Sequence, residues 1–75
     1  MIRSMSMGVS ISEPRLLEEL MAALLRNGCV TQRIGLQTFV ALHVQAMHEA
    51  EARLELDFFL RAWSLGHPDV SVVRL

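Results

Sequence analysis

A chain of 75 residues makes one small domain, and a domain of that size buries only about 60% of its unfolded surface, so a lone core is marginal. A single cysteine excludes an internal disulfide, no His/Cys cluster has zinc spacing, and a net charge of −1 favours neither nucleic acid nor anionic membranes. With 52% hydrophobic residues and a mean hydropathy of +0.35, oligomerisation or a permanent partner is the support left.

All seven basic residues are arginine, which removes any lysine nucleophile or Schiff base. No apolar run approaches the roughly 18 residues of a membrane span. Arg3 is followed by no continuous apolar segment, so a signal peptide is not expected and the cytoplasm is. Met1, Met5 and Met7 could each be the start.

Residues 4–11 alternate strictly, with Met5, Met7, Val9 and Ile11 on one side and Ser4, Ser6, Gly8 and Ser10 on the other, and this predicts a half-buried strand. Ser12, Glu13 and Pro14 then open a first helix over 13–27. Its apolar face is Leu16, Leu17, Leu20, Met21 and Leu24, and Asn27-Gly28 closes it. Thr31 suits the N-cap of a second helix over 32–65, ended by Gly66 and Pro68. At 100° per residue, Leu36, Phe39, Val40, His43, Met47, Ala50, Leu54, Phe58 and Leu65 form one long stripe. Leu56, Phe59, Leu60 and Trp63 form a second, shorter face. A helix of about 30 residues is about 45 Å long, more than the first helix can cover, so another chain is expected to cover it. Residues 67–75 read as an extended tail, either a strand closing on residues 5–11 or an arm packed on a neighbour.

The order ribbon, short amphipathic helix, glycine, second helix resembles the ribbon–helix–helix family over roughly residues 5–45, with "VSISEPRLLEELMAALLRNG" matching its opening. The resemblance implies two chains pairing their strands into a ribbon that enters the DNA major groove. Ser6, Gly8 and Ser10 would face the bases, and Thr31, Gln32 and Arg33 would hold phosphates. The outward positions carry no arginine, lysine, asparagine or glutamine, and a net acidic subunit neutralises few phosphates. "VTQRIGLQTFV" also sounds like a helix-turn-helix, but its first helix would be about four residues too short.

No constellation for catalysis stands out. His43 and His48 are five apart, not on one helical face. His48, Glu51 and Glu55 share a face in the wrong order for a di-metal bundle, so solvated charge is the simpler reading and no metal is expected. His67 suits a helix end, and Cys29 suits a small packing position. No G-x-S-x-G, phosphate loop or nucleophile–base signature exists, so neither enzymatic activity nor a cofactor is expected.

These readings converge on a mainly α chain: short N-terminal strand, amphipathic helix, long second helix and extended tail, assembled as an intertwined homodimer or higher oligomer. Self-association is assigned to Val9, Ile11, Phe39, Val40, Met47, Leu54, Phe58 and Leu65. Partner binding is assigned to Leu56, Phe59, Leu60 and Trp63, because tryptophan is enriched at binding hot spots. The expected function is non-enzymatic protein–protein interaction, as adaptor, chaperone or inhibitor of a larger partner. A DNA-binding regulator is the alternative, and no membrane partner is expected.

Overall fold

The computed structural model describes residues 6–44 and 48–75, and it corrects the mainly α expectation to α+β. In chain order the elements are β1 (Ser6–Ile11), a 3-10 turn (Pro14–Leu16), α1 (Leu17–Arg26), β2 (Cys29–Arg33), β3 (Thr38–His43), α2 (Glu49–Leu65) and β4 (Val72–Arg74). The four strands form one sheet in the order β2-β3-β1-β4, with every neighbouring pair antiparallel. A βαββαβ chain with β3 inserted between β1 and β2 is the split β-α-β arrangement of ferredoxin-like topology. Topology of this kind hosts many functions and indicates none by itself.

The first third of the chain folds as its pattern dictates. Met7, Val9 and Ile11 of β1 are buried, while Ser6, Gly8 and Ser10 turn to the other side. The Glu13 carboxylate accepts from the Arg15 backbone N–H at 3.5 Å, and Pro14 sets the first turn. In α1, Leu17, Leu20, Ala23 and Leu24 are buried. Asn27 Nδ2 donates to the Ala23 carbonyl at 2.9 Å, and Gly28 leaves the helix at φ +88°, a left-handed conformation that glycine adopts freely.

The long second helix does not form. Residues 29–43 make a β-hairpin, and α2 begins only at Glu49. Thr38-Phe39-Val40-Ala41-Leu42 is apolar on both faces, because one face meets the core and the other forms part of an apolar surface. A short run of that kind has no periodicity to separate strand from helix. Gly35, inside the four-residue connection Ile34–Gln37, marks the hairpin. Ile34 and Gly35 both donate to the Thr38 carbonyl, and Arg33 Nε to the Gly35 carbonyl at 2.9 Å.

The intertwined arrangement is corrected as well. β1 pairs with β3 on one side and β4 on the other, all within one chain, so it has no free edge for a partner's strand. The tail takes the first of its two expected forms: Val72 and Arg74 lie opposite Ile11 and Val9, and Leu75 N–H donates to the Gly8 carbonyl at 2.8 Å. Met5 and Met47 lie outside the described residues.

Both helices pack on one face of the sheet. The core joins Val9, Ile11, Phe39 and Ala41 of the sheet to Leu17, Leu20 and Leu24 of α1 and Ala52, Leu56 and Leu60 of α2. Arg74 clamps α2 to the edge strand through a two-point ion pair with Asp57. His67 stacks on Trp63 with ring centroids 3.8 Å apart, beside Glu19 of α1 at 3.4 Å.

Candidate functional site

Two regions bear on chemistry or binding: an ionisable cluster under α2, and the sheet face that carries no helix. The cluster forms because Cys29 and His43 lie opposite each other on β2 and β3, on the helix side. His43 Nε2 is 3.5 Å from the Glu55 carboxylate of α2, and its buried Nδ1 has no protein partner among the described residues. With Leu24, Leu56 and Phe59 these three residues line a cavity of about 50 Å³, room for water and not for a substrate. Burial, and secondarily the Glu55 charge, push the Cys29 thiol above its ordinary pKa. A nucleophilic cysteine needs the opposite shift. Among the described residues no three His, Cys, Asp or Glu side chains are placed to hold a metal ion. His48 sits at the N-cap of α2, and Glu55 turns to His43 instead of joining it.

The open face of the sheet follows from strand parity. β1 shows Ser6, Gly8 and Ser10 there, and the paired positions of β3 are Thr38, Val40 and Leu42. Across the hairpin, Leu42 faces Val30 and Val40 faces Gln32. On the other edge Val73 lies opposite Ser10, and the Leu75 side chain lies over Gly8. Val30, Val73 and Leu75 are 51%, 52% and 68% exposed. None of these residues is charged. The two edge-strand arginines are drawn to the helix side, Arg33 by Glu18 of α1 at 3.4 Å and Arg74 by Asp57 of α2.

Helix α2 has a second apolar stripe on its solvent side, where Leu54, Phe58 and Leu65 are 70%, 75% and 81% exposed. The two faces expected for this helix are therefore exchanged. Leu56 and Leu60, assigned to a partner, are buried in the chain's own core, with Phe59 and Trp63 packed against it. The stripe assigned to the oligomer core faces water. Residues 36–43, now in the hairpin, had lent their apolar character to that stripe and made it look dominant. Val9, Ile11 and Phe39, also assigned to self-association, are core residues of one chain; Val40 is half-buried on the open face.

Of the residues assigned to DNA, Ser6, Gly8, Ser10 and Gln32 do share one surface, while Thr31 and Arg33 turn to the other side. Thr31, Gln32 and Arg33 lie in a strand and not at a helix N-terminus. Sequence reasoning missed Val30, Leu42, Val73 and Leu75. The alternation within "CVTQR" and "VSVVRL" was the available signal. Among the described residues no helix is long and apolar enough to cross a membrane. Comparison with protein-family models, curated proteins and solved structures finds no match to this chain.

Proposed function

We propose that this protein works by protein–protein association and not by catalysis, with the open face of the sheet as its binding surface. One observation carries the reading: among the described residues, a four-stranded face presents Val30, Leu42, Val73 and Leu75 to solvent beside neutral Ser6, Ser10, Gln32 and Thr38, with no charged side chain. Monomers seldom leave a contiguous apolar patch of this kind uncovered, because its burial contributes roughly 25 cal/mol per Å². The ionisable cluster supports the same reading, since burial pushes its thiol pKa up, away from a nucleophile's, and its cavity has room only for water-sized molecules.

In-cell photo-cross-linking tests the proposal. A photoreactive residue at Val30 is expected to give a defined cross-linked product that disappears when Leu42→Asp is added. The same residue at Arg26, on the polar side of α1, is expected to give none. No product from Val30, or equal products from both positions, would refute the assignment.

A further inference from the structure

We infer that the occupant of the open face is a second copy of this chain, the two sheets stacking face to face about a two-fold axis. This rests on the reading of that face as the binding surface. The first argument is area. The face spans all four strands, with Val30, Leu42, Val73 and Leu75 between 36% and 68% exposed, and each partner in a standard stable complex contributes ~800 Å².

The second argument is charge. A two-fold interface sets the same patch against itself, so any charge near its centre would face its own kind. Among the described residues none does, because Arg33 and Arg74 lie on the helix side of their strands, opposite Phe39 and Val9, where they pair with Glu18 and Asp57. A foreign partner is commonly selected by a pattern of charges, and the polar groups on this face (Ser6, Ser10, Gln32 and Thr38) are all neutral.

The third argument is shape. β1 carries only small side chains on this side, which would leave a trough along the sheet. Leu75 fills it: a Cβ on Gly8 would come within 3.3 Å of the Leu75 side chain. The levelled surface suits sheet-on-sheet packing, where valine and leucine from both sides fill a gap of about 10 Å.

Sedimentation equilibrium on the full chain tests the inference, with folding followed by circular dichroism. Wild type is expected at twice the 8.4 kDa chain mass at micromolar concentration. Leu42→Asp is expected to stay folded and to weaken the dimer at least 100-fold. Val73→Asp on the edge strand repeats the test should Leu42→Asp fail to fold. Phe58→Asp, on the solvent side of α2, is expected to leave the dimer unchanged. A folded wild-type monomer at high micromolar concentration would overturn the second copy; if Val30 still cross-links in cells, the association reading survives and the occupant is a foreign chain. A dimer that Phe58→Asp dissociates while folded sheet variants do not would also overturn it.

Discussion

Truncating Leu56 and Phe58 to alanine, two positions apart on α2, is expected to give opposite results. Leu56 is 1% exposed and belongs to the core cluster that joins α2 to the sheet, whereas Phe58 is 75% exposed. Removing a buried leucine side chain costs about 2–5 kcal/mol, the transfer loss plus the cavity left behind. A chain of 75 residues has a stability of only about 4–11 kcal/mol at the usual value per residue. Each kcal/mol moves the melting temperature of a domain this size by roughly 4–8 °C. Leu56→Ala is therefore expected to lower it by at least about 8 °C or to prevent folding. Phe58→Ala is expected to stay within about 0.5 kcal/mol of wild type, as exposed substitutions do. The assay is a thermal melt followed by far-ultraviolet circular dichroism at several protein concentrations. If Phe58→Ala costs as much as Leu56→Ala at every concentration, α2 packs on the sheet by its other face and the orientation described above is wrong.

Gly28→Ala is expected to cost about 1–2 kcal/mol from backbone strain alone, since φ is +88° and no atom lies within 4 Å of the added Cβ; Gly28→Asn should cost less, and urea denaturation compares them. Alkylation of Cys29 by iodoacetamide in the folded protein is expected to rise only at a pH above that of a free thiol, because burial and then Glu55 disfavour the thiolate. The sign for stability follows: a raised folded pKa contributes stability below the unfolded thiol range, lost as pH climbs through the folded value. Glu55→Gln is expected to move the alkylation profile partway back, and an unchanged profile would remove Glu55 as a cause. Asp57→Ala is expected to cost about 0.5–1 kcal/mol by loosening β4, the usual worth of a partly exposed pair, and high salt should reduce the difference in a denaturant titration.

Where one face of an element meets the core and the other meets water, the pattern in the chain is enough to read it. The alternation of Met7, Val9 and Ile11 and the leucine stripe of α1 are of this kind, and so is the glycine that ends the helix at a left-handed φ. The same pattern left α2 undecided, because this helix is apolar on two sides. Leu56 and Leu60 lie on one, Leu54, Phe58 and Leu65 on the other, and local sequence does not say which side a distant sheet will cover. β3 posed the same problem more sharply. As a central strand between β2 and β1 it carries Phe39 and Ala41 toward the helices and Val40 and Leu42 toward the open face, and a run apolar on both faces loses the period that separates strand from helix. The chain alone thus determined a small one-cysteine domain with a half-buried first strand and a short amphipathic helix. Tertiary structure decided the central place of β3, the rotation of α2 and the uncharged face, because each depends on bringing together residues far apart in the sequence, such as Gly8 with Val40 and Ser10 with Val73.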